Sequence, residues 1–377
     1  MTPLRDLARE ELNGLAERSL ARRIVATERL GETIVAREGR EYVSFSCNDY
    51  FGLTHHPEVI AAAERALKRH GSGAAASRLV TGNHPHYAEL ESLLAEMKGA
   101  ERVLVFSSGY AASLGTIPVL VGKGDLILAD RLCHACAWDG ARLSGASILR
   151  FHHNDVSHCR SLLEAHRSKH RRCLILTETV FSMDGDRGPV SALAELAKVH
   201  DAWLMTDDAH GLGLPARSGK SHEEADLGMG TLSKGLGAIG GYVHGPAEVI
   251  EWLANRARSL VFSTGLPPAA VAAAAASLRI LRDDEALQRK PVENARLFTE
   301  ALGREPAASP IVPVIVGEPE RALAASAMLQ ENGLLAIAIR PPTVPPGTAR
   351  LRFAFSALHE REPIERAAAL LMKHGFA

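Results

Sequence analysis

The residues best suited to chemistry gather around one lysine. Thr231-Leu232-Ser233-Lys234-Gly235-Leu236-Gly237 is followed closely by Gly240-Gly241. The chain has nine lysines, and this one stands between a short strand and four glycines. Glycines there let the backbone approach a bound group closely. Two readings stand: a surface lysine in a flexible turn, or an amine that forms a Schiff base with a carbonyl cofactor.

A second candidate is Trp203-Leu204-Met205-Thr206-Asp207-Asp208-Ala209-His210-Gly211, an apolar strand running into two carboxylates and a histidine. Ligands of open parallel sheets sit at the carboxyl ends of strands. Asp207 and His210, three residues apart, could both aim at a flat aromatic ligand. A carboxylate facing a pyridine nitrogen keeps that nitrogen protonated and makes the ring an electron sink. The alternative is a solvated turn with a helix cap.

Val103-Leu104-Val105-Phe106-Ser107-Ser108-Gly109-Tyr110 is a strand, a small-residue turn and a helix start, which suits a phosphate. It matches neither GxGxxG nor a Walker loop, so a dinucleotide or ATP is not indicated. Cys133-His134-Ala135-Cys136 has CxxC spacing, and His152, His153, His158 and Cys159 are ligand types. No second pair stands at zinc spacing and no thioredoxin-like unit surrounds them, so no metal is expected. His134 remains as a ring that could stack on a ligand. Arg340, opening the Pro-rich stretch Arg340–Arg352, could grip a substrate carboxylate bidentately.

These residues need a scaffold, and the apolar periodicity predicts one. Strand-length runs at Val103–Phe106, Leu126–Ala129, Ile148–Phe151, Leu174–Thr177, Trp203–Thr206 and Gly240–His244 alternate with crossover-length segments. That alternation predicts an α/β fold with a large, mostly parallel sheet covered on both faces. Beyond Pro267-Pro268 come helices at Ala269–Arg282 and Glu285–Leu302. Strands at Ile311–Val316, Leu334–Ile339 and Arg350–Phe355 and a helix from Pro363 follow, a smaller α+β region. The expected division is an N-terminal helix and strand segment over 1–50, a large domain over 51–275 and a small C-terminal domain over 276–377.

The 43 basic and 44 acidic residues leave a net charge of −1, which argues against nucleic acid or an anionic membrane held by bulk charge. The apolar stretch Pro267–Leu278 is too short to span a bilayer. Five irregularly spaced cysteines make no disulfide framework, so the expected location is the cytoplasm.

In combination, these segments resemble the α-oxoamine synthases, pyridoxal 5′-phosphate (PLP) enzymes of the aspartate-aminotransferase-like fold type I. The resemblance runs in order from Ser46-Cys47-Asn48-Asp49-Tyr50-Phe51-Gly52-Leu53 through Gly109-Tyr110, Asp130–Ala135 and His153-Asn154-Asp155. It continues through Thr177-Glu178, Ser182–Asp186, Asp207–Gly211, Thr231–Gly235 and Phe262-Ser263-Thr264 to Ala357-Leu358-His359. It implies a large domain with a seven-stranded sheet. It also implies that Lys234 carries the cofactor, that Asp207 pairs with its pyridine nitrogen and that His134 stacks on its ring. His210 and Ser182 would lie on the phenolic-oxygen side, with Glu178 also at the cofactor. Ser108, Gly109, Tyr110 and Thr231 would surround the phosphate. Ser263 or Thr264 would reach a neighbouring subunit's phosphate, because the family's sites lie at a homodimer interface. Arg22, Asn48, His134, Arg340 and Thr343 match substrate-contacting positions, and Lys234, His134, Asp207 and His210 the catalytic ones.

The loop Arg340–Arg352 resembles the branch of the family that joins L-alanine to a pimeloyl thioester, carried by CoA or acyl carrier protein. The alternatives are the branch that joins glycine to acetyl-CoA and, from another class, a non-catalytic effector-sensing domain of the same fold.

Overall fold

Aliphatic runs such as Leu126-Ile127-Leu128-Ala129 and Leu174-Ile175-Leu176 have no polar face, so their strands must be covered on both sides. In the computed structural model, which describes residues 2–215 and 225–376, they are central strands of a seven-stranded sheet. The strand order is Arg102–Phe106, Gly241–Gly245, Leu227–Thr231, Trp203–Asp207, Cys173–Glu178, Leu126–Asp130, Ser147–Phe151. Pairing is parallel from Leu227–Thr231 to the Ser147–Phe151 edge, and Gly241–Gly245 is antiparallel to both its neighbours. Two buried apolar clusters lie about the sheet. One is built on Ile127, Leu174 and Met205, the other on Leu126, Ile175 and Leu204.

The short strand before Lys234 is Leu227–Thr231, whose apolar pattern is interrupted by two glycines. Those glycines make room for neighbours. A Cβ at Gly228 would lie 2.0 Å from His244 Nε2, and one at Gly230 would lie 2.4 Å from the Tyr242 hydroxyl. Gly230 faces Tyr242 and Gly228 faces His244 across the pairing, so two rings cover the bare backbone.

The chain divides into two units. The larger is Phe51–Ser182 with Asp186–Arg289; the smaller is Met1–Tyr50, Met183–Gly185 and Lys290–Ala377. The expected boundary at 275/276 falls inside the helix Pro268–Asp283, which packs on the helix Pro57–His70 within the larger unit. The 1–50 segment is no separate piece, because Leu334–Leu335 pairs in parallel with Val43 and Ser44. The single strand expected over Leu334–Ile339 is therefore two. Leu334–Leu335 joins a four-stranded sheet with the N-terminal strands, and Ile337–Ile339 pairs with Ala349–Ala354. The N-terminal helix is Leu4–Glu17 and buries no residue. The smaller unit's core is aromatic, with Phe45, Phe298, Phe353 and Phe355 fully buried.

Candidate active site

The strand Trp203–Asp207 ends on two adjacent carboxylates, and extended backbone sends successive side chains to opposite sides. Asp207 lines a cavity of about 230 Å3 in the larger unit, together with His210 and Lys234. Its Oδ1 accepts from Ala209 N at 2.9 Å. Burial raises the Asp207 carboxyl above its ordinary range, while the Lys234 ammonium opposes the shift. Asp208 is not on the cavity. It is ion-paired with Lys98, both side chains almost fully buried, and accepts from Thr179 Oγ1 at 2.6 Å. Lys234 Nζ lies 2.8 Å from His210 Nε2.

A second wall of the cavity is the start of the helix Gly109–Leu120. Ser108 caps it, its Oγ accepting from Ala111 N at 3.0 Å. The first N–H groups of an α-helix have no intrahelical acceptor, so those at Gly109 and Tyr110 suit an anion. Side chains would not fit where the turn meets the next strand: a Cβ at Gly241 would lie 2.4 Å from Gly109 N. Thr231 stands beside Gly109, and Ser233 N donates to Thr231 Oγ1 at 3.2 Å.

His134, the cap of the helix Ala135–Ser144, forms a third wall. Its Nδ1 accepts from Cys136 N at 3.3 Å, which leaves the ring proton on Nε2. Burial holds its pKa below the usual imidazole value. Glu178, at the end of the strand Cys173–Glu178, braces two parts of the site. Its carboxyl oxygens accept from His134 N at 2.6 Å and from Ser182 N at 3.3 Å. Burial pushes the Glu178 carboxyl well up, and neighbouring Asp207 adds to that.

The structure thus brings Ser108, Gly109, Tyr110, His134, Glu178 and Ser182 into one cavity with Asp207, His210, Thr231 and Lys234. It does not bring Ser263 and Thr264 there. They line a small crevice with Arg78 and Tyr87, and Thr264 bridges to Ser77. Of the expected substrate contacts, His134 is on this cavity, and Arg22, Asn48, Arg340 and Thr343 lie in the smaller unit. There Arg22 donates to Thr343 Oγ1 at 2.8 Å, Arg340 donates to the Ser19 and Ala21 carbonyls, and Arg352 donates to Asn48 Oδ1 at 3.1 Å.

Cys136 also lines the cavity, with Sγ 3.0 Å from His134 Nδ1 and 3.9 Å from Asp207 Oδ2. Along the chain it stands out only as half of a CxxC pair. Burial raises its thiol to about 12, so it is a packing group and not a thiolate. Among the described residues no group of three or more His, Cys, Asp or Glu could hold a metal ion. His153, which looked like a ligand type, instead lies between two carboxylates, 3.0 Å from Asp130 Oδ1 and 2.7 Å from Asp186 Oδ2.

A fold of this topology, with an amine, a histidine and a desolvated carboxyl in one cup beside a helix start, matches a known family. Residues 40–371 match the model for aminotransferase class I and II, and the chain belongs to that family. Among its relatives, an 8-amino-7-oxononanoate synthase of Methylobacterium sp. (strain 4-46) is 54% identical, over 98% of this chain and 97% of that protein. One of Methylobacterium nodulans is 53% identical over 100% and 99%. Among solved structures, a serine palmitoyltransferase of S. paucimobilis with bound PLP-myriocin aldimine superposes with TM-score 0.91 at 30% identity, over 98% of this chain and 97% of that one. An 8-amino-7-oxononanoate synthase of Francisella tularensis gives TM-score 0.74 at 25% identity, over 89% and 98%.

The fold is the PLP-dependent fold type I, and the cofactor is pyridoxal 5′-phosphate. The donor set fits it. The helix start with Ser108 and Thr231 suits a phosphate, and the desolvated Asp207 carboxyl suits a protonated ring nitrogen.

Proposed function

We propose that the chain condenses L-alanine with a pimeloyl thioester, releasing CO2 and the thiol carrier to give 8-amino-7-oxononanoate, a step of biotin biosynthesis. The observation that carries this reading is the cavity in which Lys234 Nζ stands 2.8 Å from His210 and shares the walls with Asp207 and His134. Similarity to 8-amino-7-oxononanoate synthases over essentially the whole chain supports it.

Ser108, Gly109, Tyr110 and Thr231 would hold the phosphate of the cofactor, His134 would cover its ring, and Ser182 and His210 would bind its phenolic-oxygen side. Lys234 would bond to its aldehyde carbon. The cofactor, when bound, supplies an electron sink for the pair left on the substrate's Cα. Asp207 keeps that sink effective by holding the ring nitrogen protonated.

Lys234, displaced by the substrate amine, is the base that takes the proton from Cα and later returns one. His210, in contact with Lys234, is placed to exchange that proton. The Cα–acyl carbon bond forms as the carbon–sulfur bond breaks, and the thiolate leaves with a proton. His134 presents its Nε2–H for the acyl oxygen that gains charge in that step. Loss of CO2 from the β-keto acid and protonation at Cα complete the reaction, which uses two protons, one taken from Cα by Lys234 and one drawn from solvent. Arg340, with Arg22, Asn48 and Thr343, would hold substrate polar groups.

The working form would be a homodimer. Leu79, Val80 and Phe262, exposed by 57, 74 and 72%, flank the paired Ser77 and Thr264, an apolar surface suited to a second copy that would bring Ser263 and Thr264 to its partner's phosphate. All five cysteines are free, which suits a reducing cytoplasm. No described helix is long and apolar enough to cross a membrane.

The test is a steady-state panel of L-alanine and glycine against pimeloyl and acetyl thioesters, each on CoA and on acyl carrier protein. L-Alanine with a pimeloyl thioester should give the highest kcat/KM. A wide margin for glycine with acetyl-CoA would overturn the reading.

A further inference from the structure

The segment Ser182-Met183-Asp184-Gly185-Asp186 is a narrow hairpin with its two ends fixed separately from its tip. Its base is closed by a bridge between Val180 and Arg187 and by Phe181 N donating to Asp186 O at 3.0 Å. Asp186 Oδ2 is further held by His153 and by Asn154 Nδ2, both at 2.7 Å. Ser182 and Asp186 belong to the larger unit, whereas Met183–Gly185 belongs to the smaller.

Within the smaller unit the tip is seated firmly. Arg350, 3% exposed, donates from Nη1 to Asp184 Oδ1 at 2.7 Å and to Met183 O at 3.2 Å. Gly185 sits at φ +73°, and a Cβ there would lie 2.0 Å from Ile311 O. Only glycine permits both that conformation and that approach. The other side of the Arg350 guanidinium, Nε, donates to Thr348 O at 3.0 Å. Thr348 ends the Pro-rich loop that begins at Arg340. One buried guanidinium therefore ties the loop bearing Arg340 and Thr343 to a tip whose first flanking residue, Ser182, lines the cofactor cavity.

We infer that Arg350 is a positioning residue that couples amino-acid recognition by the Arg340–Thr348 loop to the placement of Ser182 at the cofactor. The inference rests on the reading of Ser182 and Arg340 given under Proposed function. The coupling passes through Asp184 and a covalent step of two residues. Arg350 itself touches neither ligand. A buried charged hydrogen bond is strong enough to carry such a coupling, because breaking it leaves the Asp184 carboxylate without its guanidinium. A lysine in its place could reach Asp184 or Thr348 O but could not hold both through a planar fork.

The test is a double-mutant cycle on the holoenzyme, read by the cofactor absorbance as L-alanine is titrated. Arg350→Gln should raise the half-saturating L-alanine concentration about tenfold. It should also speed amide hydrogen exchange over Met183–Asp186 in the holoenzyme without amino acid. Ser182→Ala should weaken the response too, and in that background Arg350→Gln should add less than about twofold. Fold-changes that simply multiply would show Arg350 acting independently of Ser182 and would overturn the inference, as would an unchanged titration in Arg350→Gln. If Arg350→Gln fails to fold, Asp184→Asn removes the same ion pair at nearly constant shape and enters the same cycle. A holoenzyme that answers glycine and not L-alanine would overturn the substrate assignment alone, and the cycle run with glycine would still decide the role of Arg350.

Discussion

Asp208 is turned away from the cofactor cavity onto the ammonium of Lys98, in a pair whose two side chains are 2% and 1% exposed. Its neighbour Asp207 faces the cavity. Two identical carboxylates one residue apart thereby meet different surroundings, one a buried ammonium and the other the cavity. Asp207→Asn should lower the turnover rate about 100-fold or more while leaving the melting temperature close to that of the native chain. Asp208→Asn should do the reverse first. Stranding a buried ammonium costs about 3–5 kcal/mol, read as a fall in urea midpoint. Near-native turnover in Asp207→Asn would move the ring-nitrogen role elsewhere.

Lys234 should be the point of covalent attachment. The purified holoenzyme should be yellow, and borohydride should fix the cofactor on this lysine alone of the nine, as peptide mapping would show. Lys234→Ala should still bind the cofactor through the Ser108–Tyr110 turn and Thr231, yet turn over at less than about a thousandth of the native rate. A label on any other lysine sinks the assignment.

Most strands of the large sheet were legible because they are continuous aliphatic runs, Asp207 stood out because it ends one of them with His210 three residues on, and Lys234 stood out by the glycines that follow it. What stayed hidden depends on space. Gly228 and Gly230 are strand residues only because the rings of His244 and Tyr242 cover them, a fact that no local pattern contains. The split of Leu334–Ile339 between two sheets depends on Val43 and Ser44, nearly 300 positions earlier. His153 carries the residue type of a metal ligand and the surroundings of an ion pair, and only the placement of Asp130 and Asp186 tells these apart. Cys136 was visible as a cysteine, but its place beside Asp207 and His134 follows from how the helix Ala135–Ser144 meets the sheet.

His153 should give the protein a pH-dependent stability. Desolvation lowers its pKa, but the hydrogen bonds and charges of Asp130 and Asp186 outweigh that and raise it to about 10. The group is raised above its unfolded value of about 6.5. Its contribution is therefore complete below pH ~6.5 and fades as pH climbs toward about 10. Melting curves of the native chain and His153→Gln should differ most below pH ~6.5 and converge by pH ~10. A gap that widened with rising pH would mean that the imidazole is neutral between its two carboxylates.

Arg340 should recognise the carboxylate of the amino acid. Its guanidinium donates to the Ser19 and Ala21 carbonyls, and it lies close enough to Arg22 for the two charges to repel. Neutral carbonyls are modest partners for a guanidinium, whereas a carboxylate can take two of its N–H groups at once. An amino-acid carboxylate arriving here would exchange weak partners for strong ones and relieve the repulsion from Arg22. Lysine keeps the charge but loses the fork. Arg340→Lys should therefore raise KM for L-alanine about tenfold or more, with kcat much less affected and the absorbance of the resting holoenzyme unchanged. The acyl thioester should keep its native KM, since the loss is confined to the amino-acid carboxylate. Equal rises in both KM values would place Arg340 in general support of the loop and remove it from substrate recognition.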